Sequence, residues 1–234
     1  MSIDSGNQER RRGAKVVKPF VIGNTAKPLD VEIIDESGKA RTHEWVIFVK
    51  PYLNEDMSKY VKKVQFKLHE SYENNIKVVE HPPFEVRETC WAESEVMVKI
   101  FFNDQYEKPL TLYHYVRIRE DGATYIGTDG TVAAEHYDEF IFKEPTLQFE
   151  KLLVDALISN ELNVSEFKTN FEDTKRIQMD QIIKAREMIK REIEDLKKSI
   201  IDGQDFLRIK SEELQNILNS KNEETSVVVQ ESVK

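Results

Sequence analysis

The side chains best suited to chemistry are scattered along this chain. Five histidines stand at positions 43, 69, 81, 114 and 136. His43 and His69 are each followed by a glutamate, Glu44 and Glu70, a pairing that could begin a metal site. A zinc protease needs a second histidine four residues on, so that both imidazoles share one helix face. Neither pair has one. His114 falls in an apolar run and is expected to be a hydrogen-bonded core residue. Cys90 is the only cysteine, so neither an internal disulfide nor a Cys-based zinc site can form, which fits a reducing compartment. There is no G-x-S-x-G elbow, phosphate-binding loop or dinucleotide fingerprint. These absences favour binding over catalysis, with no metal and no cofactor expected.

The elements that must position any binding residues divide the chain by pattern. Residues 1–15 are polar and are expected to be a disordered basic tail. They lack the apolar core of a signal peptide, and Arg10-Arg11-Arg12 with Lys15 and Lys18 fits a nuclear-import patch. Residues 16–145 alternate as strands do. Val64, Phe66 and Leu68 oppose Lys63, Gln65 and Lys67, and Val96, Val98, Ile100 and Phe102 repeat the pattern. Glu44 to Val49 is a nearly unbroken apolar run, as for a strand buried on both faces. Leu110 to Val116 and Tyr137 to Phe142 make further strands. Asn74-Asn75, Pro82-Pro83 and Asp121-Gly122 mark turns, while Asp30 to Lys39 and Glu120 to Glu135 are expected to be loops. About seven or eight short strands so spaced predict an antiparallel, immunoglobulin-like β-sandwich.

From Thr146, a plausible N-cap after Pro145, to residue 222 the pattern turns helical. Ile193, Ile200, Leu207 and Leu214 recur every seven residues, with Ile182, Ile189, Leu196 and Ile217 interleaved. This is an a/d seam of about five heptads, interrupted at Gly203 and Lys210. A long helix packed on the sandwich would show a broader apolar face, so a coiled coil over 165–222 is the preferred reading. A polar tail, 223–234, is expected to be disordered. The composition agrees: 39% hydrophobic and 33% charged residues leave part of the chain outside any globule. The formal charge of −9 opposes bulk attraction to DNA and suits a basic partner such as a Lys-rich tail. No run is long enough to span a membrane. The protein is expected to be soluble and intracellular.

Ordered stretches of the β region resemble a YEATS domain. They are Val21-Ile22-Gly23-Asn24, Thr42-His43-Glu44-Trp45, Val61 through Phe66-Lys67-Leu68-His69-Glu70-Ser71-Tyr72, Pro82-Pro83-Phe84-Glu85-Val86, Glu88-Thr89 before Trp91, and Tyr137-Asp138-Glu139 before Glu144-Pro145. Lys50 to Ser58 (KPYLNEDMS) is especially similar to the glioma-amplified-sequence subfamily, which also carries a C-terminal coiled coil. The resemblance covers residues 16–157. It implies an immunoglobulin-like sandwich that binds acylated lysine on histone tails, in a nuclear, non-enzymatic subunit of histone-exchange remodelling and histone acetyltransferase complexes. By that resemblance Tyr72 and Trp91 sandwich the acyl-amide and the Ser71 hydroxyl hydrogen-bonds it. The Trp91 backbone N–H meets the acyl oxygen, and His69 lines the channel. Acetyl, crotonyl and succinyl groups would all be accepted. Without the resemblance, Tyr72 and Trp91 read as core or rim aromatics, and His69 and Ser71 as turn-stabilising groups.

The sequence departs from the family pattern around this pocket. Cys90-Trp91-Ala92-Glu93-Ser94 stands where relatives have Gly-Trp-Gly or Gly-Tyr-Ala followed by an aromatic, and Arg41 stands where they have His or Phe. Cys90 would be strained if its backbone needed positive φ. Ser94 removes aromatic wall. Arg41 would attract an acidic acyl group or repel flanking lysines. The competing reading is a structural scaffold or histone-chaperone subunit with a degenerate pocket. The coiled coil fits a homodimer or insertion into a complex equally well.

Overall fold

The structure is a computed structural model that describes residues 9–34, 38–156 and 165–231, with side chains described through Asn219. Nine strands run in order: β1 (Lys15–Ile34), β2 (Ala40–Pro51), β3 (Val61–Lys67), β4 (Ile76–Val79), β5 (Phe84–Cys90), β6 (Ser94–Phe102), β7 (Leu110–Val116), β8 (Tyr125–Ile126) and β9 (Val132–Lys143). Two helices follow, α1 (Leu147–Val154) and α2 (Phe171–Glu231). The strands form two antiparallel sheets, one ordered β5-β2-β1-β9-β8 and the other β4-β3-β6-β7.

The alternation seen in sequence becomes the sandwich core. Val64 and Phe66 of β3, Val96, Val98 and Ile100 of β6, and His114 and Val116 of β7 are buried. The apolar ones among them meet Phe20, Ile22, Trp45 and Ile47 from the five-stranded sheet in one cluster, as two facing inner layers should. Phe20 stacks on Phe140 with centroids 3.9 Å apart. Gly23 lies where β1 and β9 approach closely: a Cβ there would stand 2.8 Å from the Ala134 carbonyl oxygen. Of the run expected to be buried on both faces, Trp45, Ile47, Phe48 and Val49 are buried, while Glu44 and Val46 are half-buried. On the outer side the Lys50 ammonium lies 4.1 Å over the Phe48 ring, and Val46, Phe48 and Phe167 line one shallow pocket. The segment carrying Phe167 is a strap held through its own backbone N–H groups: Ser165 N–H donates to Tyr52 O, and the Glu135 side-chain carboxylate accepts from Lys168 N and Thr169 N. Tyr52 then gathers Phe167, Phe171 and Tyr137 around its ring.

Two buried polar groups are satisfied by design of the fold. His114 Nε2 donates to Asn24 Oδ1 at 2.9 Å, since the same oxygen also accepts from Arg117 N and the amide nitrogen donates to Arg117 O. The expected core role of His114 therefore holds. Lys18 pairs with Glu55 at 2.5 Å, both nearly solvent-free, and the Tyr60 hydroxyl donates to the other Glu55 oxygen at 2.6 Å.

Several expectations are corrected. Among the described residues there are nine strands rather than seven or eight. Residues 30–34, expected in a loop, belong to β1, because Ile33 and Ile34 pair with Arg41 and Ala40 beyond a register shift. The second expected loop contains β8 and the start of β9, since Tyr125 and Ile126 pair with Ala133 and Val132. Residues 9–14, inside the expected disordered tail, are held at the sandwich: Arg10 donates to Glu144 O and Arg11 pairs with Glu150. Lys18 is buried and cannot serve an import patch. Thr146 does cap α1, accepting from Phe149 N, but the helical pattern is not continuous, because the strap lies between α1 and α2. Helix α2 runs on to Glu231, through most of the expected polar tail. The remaining expectations for residues 1–8, 157–164 and 232–234 fall outside the described residues.

Candidate functional site

Four chain segments converge at one end of the sandwich. They are the start of β2, the turn after β3, the end of β5, and the 91–93 turn leading into β6. Pairing of His43 with Cys90 aligns β2 and β5, which places Arg41 beside the end of β5. After β3, Tyr72 N–H donates to His69 O and closes a turn. Within it, Ser71 N–H donates to His69 Nδ1 at 3.2 Å, and the Ser71 hydroxyl lies 3.0 Å from the same nitrogen. A nitrogen that accepts a backbone N–H is using its lone pair, so the hydroxyl is also a donor to it. The lone pairs of Ser71 Oγ are then available to a ligand's N–H.

Tyr72 is half core and half site. Its ring meets Trp45 edge-on, with centroids 6.3 Å apart. Its hydroxyl accepts from Trp45 Nε1 and donates to Thr89 O. Burial pushes this phenol up to about 12, so it stays neutral. The Arg41 guanidinium lies 5.4 Å from the Tyr72 ring centroid and donates to Thr89 O at 2.7 Å. One strand-end carbonyl therefore positions both an aromatic face and a cation.

Cys90 is buried, and burial pushes its thiol up to about 11. Among the described residues only Glu144 has positive φ without being glycine, so Cys90 is accommodated without the strain its replacement of glycine suggested. Trp91 is 47% exposed, a rim position, with the Lys39 ammonium 4.7 Å over its ring. Glu93 fixes the turn, accepting from Ile118 N, Arg119 N and Arg117 Nη1. Burial works against its charge, but these donors outweigh it and hold the carboxyl below its usual range.

The result is a cavity of about 160 Å³ lined by Arg41, His69, Ser71, Tyr72, Cys90, Trp91, Ala92 and Ser94, joined by Lys39 and Glu93. All eight residues singled out in the sequence meet there. Sequence reasoning missed Lys39, Glu93 and the positioning carbonyl of Thr89. The i, i+2 spacing of Lys39, just before β2, to Arg41 within it was a usable signal for the first; a backbone carbonyl leaves none. The turn role of His69 and Ser71 and the core packing of Tyr72 are real as well, so the plainer readings coexist with the cavity. His43 and His81 are not among the lining residues. Among the described residues no cluster of three or more His, Cys, Asp or Glu could hold a metal.

Residues 40–120 match the YEATS family. The AF-9 homolog of Eremothecium gossypii is 36% identical over 201 residues, which is 82% of this chain and 94% of that protein. The chain belongs to the YEATS family. The AF-9 homolog of Emericella nidulans is 40% identical over 146 residues, 60% of this chain. That match spans about half of the relative, 53% of its length. Among solved structures, the Yaf9 YEATS domain bound to H3K27ac is 37% identical with a TM-score of 0.52, covering 62% of this chain and 98% of that one. The Yaf9 YEATS domain recognizing an H3K122suc peptide is also 37% identical, with a TM-score of 0.51, covering 62% and 97%. The sandwich described above is thus a YEATS fold, and its cavity lies at the loop end of that domain.

Proposed function

We propose that this protein is a non-enzymatic reader of acylated lysine on histone tails, acting in the nucleus within a chromatin-modifying assembly. The observation that carries the reading is the convergence of Tyr72, Trp91, Ser71 and His69 on one cavity whose lining holds two cations, Lys39 and Arg41, and one carboxylate, Glu93, already engaged by Arg117 and two backbone N–H groups. A lysine ammonium entering there meets like charge and loses hydration. Acylation removes that charge and leaves a flat amide. The aromatic rings take the amide plane, Ser71 Oγ accepts its N–H while His69 holds the hydroxyl proton, and the Trp91 backbone N–H is the donor for the acyl oxygen. The H3K27ac and H3K122suc peptides held by the Yaf9 domains support this ligand class.

The finer ligand preference follows from the same charges. An acyl chain ending in a carboxylate gains from Arg41 and Lys39, and with Ser94 in place of an aromatic wall a simple acetyl group gains less. Helix α2 supplies the assembly element, as a coiled coil with itself or with another subunit.

The test is a titration of the full-length protein with one histone-tail peptide in unmodified, acetylated, crotonylated and succinylated forms. We expect the succinylated peptide to bind most tightly, the unmodified one least, and Trp91→Ala to erase the ranking. Arg41→Phe should lower succinyl affinity by roughly five- to tenfold, the range of about 1–1.4 kcal/mol. Equal binding of all four peptides would refute the reader role.

A further inference from the structure

The outer face of the four-stranded sheet differs from what a solvated sheet surface needs. Inward positions on β3, β6 and β7 are filled by Val64, Phe66, Val98, Ile100 and His114, so the intervening residues point outward. The strand register sets Ile76, Lys67, Met97 and Tyr113 in one row across the sheet, and Val78, Gln65, Lys99 and Thr111 in the next. Lys63 and Phe101 make a third pair. Ile76, Val78, Tyr113 and Tyr115 are each between 46% and 65% exposed. An antiparallel sheet with one free face normally turns polar side chains outward; here apolar and cationic groups share it.

Lys63 and Lys99 on this face have ring contacts but no carboxylate partner within the sheet. Among the described residues neither Lys63, Lys67 nor Lys99 forms an ion pair with a carboxylate; the acidic group on the outer positions of these rows' strands is Glu95, opposite Tyr115. This occurs in a chain whose formal charge is −9, so the face is a local reversal of the overall sign.

We propose that this face docks an acidic, amphipathic segment of a partner protein, separately from the acyl-lysine cavity. The arrangement favours a protein over a single-stranded nucleic acid. Base stacking needs bare aromatic faces, whereas Phe101 has the ammonium groups of Lys63 and Lys99 5.1 and 5.4 Å from its centroid, and Tyr115 has Arg117 at 4.5 Å. Ile76, Val78 and Met97 offer nothing to a base and much to a Leu or Ile side chain. The lysines between these apolar groups match acidic side chains that flank an apolar stripe, which gives steering and register to the contact.

The test uses the full-length protein with methyl-labelled Ile, Val and Met, and three probes: an amphipathic Glu/Leu peptide of about 18 residues, or about five helical turns, its Lys/Leu counterpart, and an oligothymidylate of matching length. The Glu/Leu peptide should shift the Ile76, Val78 and Met97 methyl resonances. The Lys67→Glu, Lys99→Glu double variant should weaken that effect at least tenfold, and Tyr113→Ser about fivefold. Affinity for an acylated histone peptide should be unchanged in both variants. Methyl shifts caused equally by the Lys/Leu peptide, or more strongly by the oligonucleotide, would overturn the proposal, as would undiminished Glu/Leu binding by the double variant.

Discussion

The sandwich and helix α2 solve the problem of apolar side chains in opposite ways. The sandwich hides Trp45, Tyr60, Phe66 and their neighbours and provides partners for the polar groups it buries, Asn24, His114 and Glu55 among them. In α2 every side chain described after Phe171 is exposed, including Ile193, Leu196, Ile200, Leu207 and Leu214. Its ion pairs are local, between residues three or four apart, and such pairs add only a few tenths of a kcal/mol each. The sandwich therefore carries its own stability. The helix gains little from packing among the described residues, and its apolar seam stays exposed there.

The largest effect should appear in the helix. With the proposed coiled coil, the Leu196→Asp, Leu207→Asp double variant should lose association by more than about a hundredfold, on the order of 3 kcal/mol or more. Sedimentation and concentration-dependent circular dichroism read this, while the sandwich unfolding transition stays in place. A sandwich transition that fell with the seam would show the two regions to be interdependent.

Within the sandwich, Lys18→Ala leaves Glu55 buried with only Tyr60 as a partner and should cost about 3–5 kcal/mol in chemical denaturation. Replacing both ions, as Lys18→Met with Glu55→Gln, should restore much of that loss. A single variant as stable as the parent would mean water already reaches Glu55.

Acid should separate the regions next. Burial first, then His136 and Arg117, hold the His114 imidazole down from 6.5 to about 3. The unfolded chain takes up a proton as pH falls through 6.5, and the folded chain does not until about 3. The resulting stabilisation is complete above pH 6.5 and declines below it, by roughly 3 kcal/mol at about pH 4. His114→Gln should flatten the dependence of sandwich stability on pH between 6.5 and 4, measured by urea unfolding. An unchanged slope would place the acid sensitivity in other groups.

The smallest effect belongs to the cavity rim. Trp91→Ala should change sandwich stability by less than about 0.5 kcal/mol while removing acyl discrimination. A larger loss in thermal unfolding would show Trp91 to be core rather than rim.

The parts legible in the sequence were those written in side-chain alternation. Val64–Leu68 and Val96–Phe102 announced their strands because inward positions must be apolar. The Ile193–Leu214 repeat announced α2 for the same reason. Residues 30–34 and 125–126 were hidden because their pairing is made by backbone groups, while Asp30, Glu32 and the Gly-, Asp- and Thr-rich neighbours of 125–126 read as loop. The cavity was legible through its resemblance, which named all eight lining residues that were sought. It gave no sign of the Thr89 carbonyl, whose role is a backbone property. Lys18 looked like surface charge because its partner, Glu55, lies 37 residues away.

The strap from Ser165 to Phe171 also has a mechanical meaning. Tension entering the sandwich at Phe171 is received first by the Tyr52 aromatic cluster, then by the bonds from Thr169 and Lys168 to Glu135, and last by Ser165 at Pro51 and Tyr52. These attachments follow one another along the chain from Phe171 back to Ser165. A pull from beyond Phe171 is therefore expected to peel the strap before it strains β2, whose opposite end carries Arg41.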